Sequence, residues 1–254
     1  MFAADAARQP LLGVFALLAE WRALTDPATD AGVAHLTLDW WRGEIKRLID
    51  GSPAHPITRY LAGLSGIRAA DLALLQGSID AAAAQVAGAP LEHTRELRSH
   101  ADALLGAALR VAAQLSGPLA DPAGVAACTT ALAVAEYLAR TIAEYGREAR
   151  AGRVPFPVAE LLAARIGNDD LLAAAPPARL RAYLEELRER ASRSYASATL
   201  SLSITDRARL RHLPVLAALG TRCLIAGRSP LSADFRLGDL YKAWYAAHRA
   251  AASR

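Results

Sequence analysis

The chain has 254 residues, of which 60 are alanine, 53% are hydrophobic and 6% are aromatic. This is a globular composition, and abundant alanine favours helices because alanine loses no side-chain entropy in a helix, so an all-β or collagen-like protein is excluded. The net charge of +4, from 29 basic and 25 acidic residues, is spread along the chain. No basic block is interleaved with aromatic residues, so we expect no nucleic-acid partner.

Breaker residues divide the chain into segments with helical periodicity. The predicted helices cover residues 3–24, 31–49, 55–64, 69–86, 91–115, 121–150, 156–166, 177–203, 206–225 and 236–250. No internal repeat or low-complexity linker separates these segments, so we expect one domain, residues 1–254, with the all-α architecture of a helical bundle. Alanine-lined helices can approach closely or leave room between them, so a central cavity is compatible with this bundle.

The sequence contains no segment that we expect to span a membrane. Uncharged stretches such as residues 122–135 are shorter than the about 20 apolar residues that cross a bilayer. Met1 is followed by acidic Asp5 rather than by a basic segment, so no signal peptide is predicted. We therefore expect a cytoplasmic protein and leave open its attachment to the periphery of a membrane. Cys128 and Cys223 are expected to be buried free thiols.

The predicted helix over residues 121–150 carries a ladder of charged residues. Its members are Glu136, Arg140, Glu144 and Glu148, which follow at intervals of four and share one helix face. Two carboxylates one turn apart can chelate Mg²⁺, and the ion can hold a diphosphate. A solvated ladder of ion pairs is the alternative, and the spacing by itself favours it.

Basic residues mark the end of this predicted helix. Arg147, Arg150 and Arg153 surround Gly152, which is suited to a left-handed C-cap. These guanidinium groups could bind phosphate. They could equally face the negative end of the helix dipole, which requires no ligand.

Three stretches of the sequence carry motifs in a fixed order. Residues 38–45 (LDWWRGEI) and 55–61 (HPITRYL) are similar to L-x-W-W-R-x-E-L followed by H-P-V-x-x-A-L. Residues 96–106 are similar to E-L-x-x-Y…A-G, with His100 in the tyrosine position. Residues 138–157 are similar to a segment in which D-x-x-x-D precedes G-R-x-x-x-P. Together the three stretches resemble the squalene/phytoene synthase family of trans-isoprenyl diphosphate synthases.

The resemblance implies an all-α isoprenoid-synthase fold around a central cavity. In that family two aspartate-rich segments hold Mg²⁺ and the diphosphates of prenyl substrates, and the enzymes join two prenyl chains head to head. Carried over to this sequence, the resemblance implies Glu20, Glu144 and Glu148 as metal ligands, Arg140, Arg147 and Arg153 as diphosphate-binding residues, and Phe15, Trp41, His100 and Tyr137 as cavity residues.

The sequence departs from the family at both acidic motifs. Glu144 and Glu148 replace the aspartates of the second motif and lengthen each side chain by a methylene. At the first motif, counted from Phe15, only Glu20 is acidic, and Arg22 lies beside it. The sequence also begins too close to Phe15 to contain the family's upstream serine and phenylalanine segment. Because one acidic motif cannot clamp two diphosphates through Mg²⁺, we expect weakened or lost ionisation chemistry.

The sequence leaves three functions open. The favoured one is a divergent family member that binds a prenyl diphosphate, another lipid-like ligand or a protein partner, with weak or no head-to-head synthase activity. The second is an active Mg²⁺-dependent transferase of farnesyl or geranylgeranyl diphosphate that uses Glu20, Glu144 and Glu148. The third is an unrelated helical adaptor. Motifs of hydrolases, kinases and nicotinamide-dependent enzymes are absent from the sequence.

Overall fold

The computed structural model describes residues 5–64 and 69–225, and these residues form helices without any β-strand. The helices are α1 (Asp5–Leu24), α2 (Ala31–Ile49), α3 (Pro56–Ala62), α4 (Ala69–Val86), α5 (Thr94–Ala101), α6 (Ala107–Leu115), α7 (Pro122–Arg150), α8 (Val158–Ala163), α9 (Asn168–Leu172), α10 (Ala178–Ala198), α11 (Ile204–Arg209) and α12 (His212–Ile225). A π-helical segment, Asp102–Gly106, joins α5 to α6. The all-α prediction is confirmed, and the predicted helix 236–250 lies outside the described residues.

Capping residues set the ends of the long helices. Asp30 and Asp121 accept hydrogen bonds from backbone N–H groups in the first turns of α2 and α7. Pro122 opens α7, where its missing N–H removes no hydrogen bond. Gly152 follows α7 with φ 74°, and the next residue donates its N–H to the carbonyl oxygen of Glu148. The predicted left-handed cap at Gly152 is therefore confirmed.

Several predicted helices are shorter or divided. The segment predicted over 91–115 begins at Thr94 and passes through the π-helical segment. The segment predicted over 156–166 ends at Ala163, and Arg165 takes a positive φ of 55°. The segment predicted over 177–203 ends at Ala198. The backbone is extended at His93 and Leu202 and left-handed at Arg165, and the periodicity of the sequence does not show these changes of conformation.

Helix α7 belongs to one of two apolar clusters of the core, and α6 contributes to both. One cluster joins α7 to α5, α10 and α12, and the other joins α1, α2, α4 and α6. By length and composition α7 is apolar enough to cross a membrane, but 61% of its most apolar window is buried inside the protein. That burial is characteristic of a core helix. Alanines on α6 and α7, among them Ala108, Ala112 and Ala135, are fully buried and allow close packing.

The first two motif stretches are joined by a buried carboxylate. Glu44 of α2 accepts hydrogen bonds at 2.8 Å from the backbone N–H groups of Ala54 and His55, at the start of α3. It also accepts from the Thr58 hydroxyl and from the Arg47 guanidinium. Burial by itself raises the pKa of Glu44, but these donors outweigh it and lower the pKa to about 2. The glutamate of the W-W-R-x-E stretch therefore fixes the α2–α3 connection.

Candidate ligand cavity

A cavity of about 750 Å³ lies between α1, α4, the π-helical segment and α7. This volume falls within the range of about 300–1,000 Å³ that small-molecule sites occupy. Its apolar wall consists of Phe15, Leu18, Ala19, Trp21, Ala23, Pro27, Ala82, Ala101, Leu104, Leu105 and Ala133. Its polar wall consists of Arg22, Thr25, Asp26, Thr29, Ser78, Gln85, Glu136, Tyr137, Arg140, Glu144, Arg147 and Glu148. A second cavity of about 30 Å³ adjoins it near His100 and Arg153.

The structure divides the site residues named from the sequence into three groups. Phe15, Tyr137, Arg140, Glu144, Arg147 and Glu148 line the large cavity. His100 and Arg153 line the small cavity, together with Tyr137, Arg140, Glu144 and Glu148. Glu20 and Trp41 line neither. The charged ladder of α7, from Glu136 to Glu148, therefore faces one cavity rather than open solvent.

Glu20 is exposed and lies outside the cavity wall. Two residues further along α1, Arg22 lies on the wall instead. Successive helical residues are 100° apart, so these two side chains leave the helix about 200° apart. Phe15, Leu18 and Arg22 follow at spacings of three and four, which places them on one face. That spacing in the sequence could have identified Arg22, whereas the expectation for Glu20 came from its place in the family's first acidic motif, counted from Phe15.

Trp41 lies in the core rather than on the cavity wall. Its side chain is 3% exposed and packs edge-on against Trp21 of α1, with ring centroids 6.1 Å apart. His55 packs on Trp41 at 4.7 Å. Trp21 itself lines the cavity. Trp41 of α2 therefore packs behind the cavity wall and contacts it through Trp21.

The π-helical segment supplies the apolar floor of the cavity. Leu104 and Leu105 lie on the wall. The Asp102 carboxylate holds the segment, because it accepts hydrogen bonds from both Arg110 Nη atoms at 2.7 and 2.9 Å and from the Thr130 hydroxyl at 2.6 Å. These contacts connect α6 and α7 to the segment. π-Helical turns often occur at functional sites.

Arg22 and Glu144 face each other from α1 and α7. Arg22 Nη2 is 3.9 Å from Glu144 Oε1, and the two side chains are 30% and 26% exposed. Burial lowers the pKa of Arg22 and the nearby Arg140 lowers it further, while Glu136 and Glu144 act in the opposite direction. The guanidinium of Arg22 therefore lies on the cavity wall where the carboxylates of the family's first acidic motif were expected.

A second ion pair connects the end of α7 to the α1–α2 loop. Arg147 Nη2 donates to both carboxylate oxygens of Asp26, at 2.8 and 2.9 Å. The N–H of Ala28 and the Arg147 guanidinium together lower the pKa of Asp26. Arg147 was expected to bind diphosphate, and in the structure its guanidinium is engaged by this carboxylate.

Arg153 and Glu148 form a third pair at the junction of the two cavities. Arg153 Nη1 is 3.6 Å from Glu148 Oε2 and donates to the backbone oxygen of Thr25 at 3.0 Å. Burial raises the pKa of Glu148, and the positive charges of Arg153 and Arg140 oppose that rise. The residue after Gly152 thus ties the end of α7 back to α1.

Arg140 occupies the centre of the polar wall. Its Nη2 donates to Gln85 Oε1 at 3.2 Å, and its guanidinium carbon lies 5.7 Å from the centroid of the Tyr137 ring. The His100 ring packs edge-on against Tyr137 at 5.5 Å. Burial, with a contribution from Arg140, lowers the pKa of His100 to about 4. His100 is therefore uncharged near neutral pH and adds no cation to the wall.

The side chains on this wall do not fit a Mg²⁺ cluster. Within residues 5–64 and 69–225, no three His, Cys, Asp or Glu side chains gather closely enough to hold a metal ion. Glu144 has Arg22 opposite it and Glu148 has Arg153 beside it. Mg²⁺ takes a few carboxylate oxygens with phosphates and water, and a neighbouring guanidinium repels it.

Comparison with known proteins places the chain in a family. The sequence profile of the Squalene/phytoene synthase family matches residues 1–226. The chain belongs to the squalene/phytoene synthase family. No curated protein sequence matches this family member.

Solved structures of the family share the fold of this member. A dehydrosqualene synthase crystallised in complex with ligand has a TM-score of 0.76 at 14% identity, over 99% of this chain and 88% of that chain. The squalene synthase HpnC from Alicyclobacillus acidocaldarius has a TM-score of 0.70 at 20% identity, over 89% of this chain and 84% of that chain. At these identities the likeness is one of fold.

Proposed function

We propose that this squalene/phytoene synthase family member binds a prenyl or similarly apolar lipid in its cavity, with weak or no Mg²⁺-dependent head-to-head synthase activity. The pairing of Arg22 with Glu144 across the cavity carries the proposal. The protein keeps a cavity large enough for a ligand. On the α1 side of the expected metal clamp, however, the guanidinium of Arg22 replaces a carboxylate.

The size and the apolar wall of the cavity support ligand binding. Phe15, Trp21, Leu104 and Leu105 face its interior. Each CH₂ group that leaves water for such a wall contributes about 0.8 kcal/mol, so a prenyl chain offsets the cost of association without a metal-bound head group. The polar wall is confined to α7, Gln85 and Ser78 of α4, and the region of Arg22–Thr29. The ligand is therefore expected to lie with its chain toward the π-helical segment.

Charge repulsion argues against efficient ionisation chemistry. A divalent ion and a guanidinium about 5 Å apart repel each other by about 7 kcal/mol at an effective dielectric constant of 20. A Mg²⁺ ion at Glu144 would meet this repulsion from Arg22. An active transferase that uses Glu20, Glu144 and Glu148 also requires three convergent carboxylates, and Glu20 is exposed outside the wall.

A diphosphate-release assay tests the catalytic half of the proposal. Purified protein is incubated with farnesyl or geranylgeranyl diphosphate and Mg²⁺, and free diphosphate is measured over time. We expect release no faster than in a protein-free control. Robust turnover that Glu144→Ala abolishes would overturn the proposal of weak or absent activity.

A fluorescence titration tests the binding half. Trp21 lines the cavity, so a ligand there is expected to change tryptophan emission. The titrated probes are farnesol and farnesyl diphosphate. Ala19→Phe adds bulk inside the cavity and is expected to weaken binding at least tenfold. Ala73→Phe adds the same bulk to an exposed position of α4 outside the cavity and should leave binding unchanged.

The two variants also define what would refute binding. Saturable binding that both variants leave unchanged would place the ligand outside this cavity. The absence of saturable binding of either probe to the folded wild-type protein would overturn the proposed function itself.

A further inference from the structure

The charges on the cavity wall do not favour an anion. Four guanidinium groups, those of Arg22, Arg140, Arg147 and the adjoining Arg153, face the four carboxyl groups of Asp26, Glu136, Glu144 and Glu148. The formal charge of these groups is therefore 4 − 4, or zero. A diphosphate carries several negative charges and finds no compensating excess here.

The guanidinium groups are also already engaged by the protein. Arg147 is held by both oxygens of Asp26, and Arg153 is held by Glu148 and the Thr25 carbonyl. A diphosphate would have to displace these acceptors and then lie beside the carboxylates it displaced. The Arg153–Glu148 pair is nearly buried, with side chains 11% and 7% exposed, so like charges brought together there repel strongly and the exchange is unfavourable. The exposed Arg147–Asp26 pair opposes the exchange less.

An uncharged polar head meets neither obstacle. A hydroxyl group both donates and accepts, so it can donate to a carboxylate and accept from a guanidinium at once. Glu144 of α7 and Arg22 of α1 offer these two partners 3.9 Å apart on the cavity wall, and both side chains are partly exposed. A hydroxyl leaves the formal charge of the wall unchanged.

We infer that the ligand of this cavity is an uncharged prenyl lipid, such as a prenyl alcohol, rather than a prenyl diphosphate. The inference rests on the proposed function, because it specifies the head group of the ligand bound in that same cavity. It goes further because it excludes the charged head that an isoprenyl diphosphate synthase requires.

Paired titrations with two probes of the same chain length test the inference. Farnesol and farnesyl diphosphate are titrated against the full chain and followed by tryptophan emission, each with EDTA and with excess Mg²⁺. We expect farnesol to bind at least tenfold more tightly than farnesyl diphosphate, with a dissociation constant that Mg²⁺ changes by less than twofold. Tighter binding of farnesyl diphosphate, with or without Mg²⁺, would overturn the inference and leave the proposed function intact.

Neutralising single carboxylates tests the physical reason. Glu144→Gln and Asp26→Asn each remove one negative charge from the wall, so each is expected to tighten farnesyl diphosphate binding about threefold or more. Farnesol binding should change less than that. Glu189→Gln is the matched control, because Glu189 is an exposed residue of α10 outside the cavity, paired with Arg193 at 3.4 Å.

The outcomes of the variants separate the two hypotheses. If the control tightens farnesyl diphosphate binding as much as the wall variants do, net charge rather than the wall sets the preference, and the inference fails. If the folded wall variants leave the preference for farnesol unchanged, the charge argument fails. If the wild-type chain binds neither probe, the proposed function fails with it. Thermal unfolding of each variant confirms that it is folded before titration.

Discussion

Replacing Glu44 with glutamine perturbs the buried carboxylate that joins α2 to α3. In the native protein this carboxylate accepts two backbone N–H bonds at 2.8 Å, from Ala54 and His55, and faces the Arg47 guanidinium. Glutamine keeps one oxygen but turns an NH₂ group toward donors. We expect Glu44→Gln to destabilise the protein by about 2–4 kcal/mol, because buried charge-assisted hydrogen bonds are lost and donors are left unpaired.

The pKa of Glu44 gives the magnitude of the charge contribution and its dependence on pH. The pKa falls from 4.5 to about 2 on folding. At about 1.4 kcal/mol per pKa unit the ionised carboxylate contributes about 3 kcal/mol of stability at pH 7. Because the folded pKa lies below the unfolded one, this contribution is complete above the unfolded value and is lost as the pH falls toward 2. By linkage about 2 kcal/mol of it has disappeared at pH 3.

Urea unfolding followed by circular dichroism at pH 7, 5 and 3 measures this effect. The difference in unfolding free energy between wild type and Glu44→Gln should narrow by about 2 kcal/mol between pH 7 and pH 3. Glu189→Gln removes a carboxylate from an exposed pair, and it should cost no more than about 0.5 kcal/mol at pH 7. A difference for Glu44→Gln that stays constant across this pH range would refute the reasoning.

Two further predictions concern packing and thiol reactivity. A methyl group added at Gly220 would lie 2.2 Å from the Tyr195 ring, so Gly220→Ala should destabilise by about 1–3 kcal/mol in urea unfolding. At Gly77 a methyl group would meet nothing within 4 Å, so Gly77→Ala should raise the free energy of unfolding by about 0.5–1 kcal/mol. Equal changes in the free energy of unfolding for Gly220→Ala and Gly77→Ala would contradict this packing argument. Burial raises the pKa of Cys128 to about 12, so a thiol reagent should label Cys128 only on unfolding, and rapid labelling of the native protein would contradict that burial.

The fold could be predicted because its signals are local. Asp30 and Asp121 cap helices, Pro122 opens one, and Gly152 closes one with a left-handed residue. Each of these acts within one turn of its own helix, so the sequence displays it directly. The π-helical segment was not predicted, because the contacts of Asp102 with other helices hold it there.

The candidate site was only partly predictable, because its partners come from different helices. The spacing in α7 placed Glu144 and Glu148 on one face, and both line the cavity. Their partners Arg22 and Arg153 follow from tertiary packing. The family's first acidic motif, counted from Phe15, indicated Glu20 on α1, whereas the helical phase relative to Phe15 indicates Arg22.

The arginines explain how the cavity wall can carry four acidic groups without a bound cation. Carboxylates at Asp26, Glu136, Glu144 and Glu148 would repel one another if they were uncompensated. Guanidinium groups from α1 and from the end of α7 supply the compensation, so the wall is already neutralised by the protein when no ligand is bound. A wall neutralised in this way has no need of a metal ion for its stability and offers little binding energy to one. Under the proposed function, the same substitutions that remove the metal clamp leave a charge-balanced cavity, and we expect this cavity to select its ligand by the prenyl chain rather than by the diphosphate.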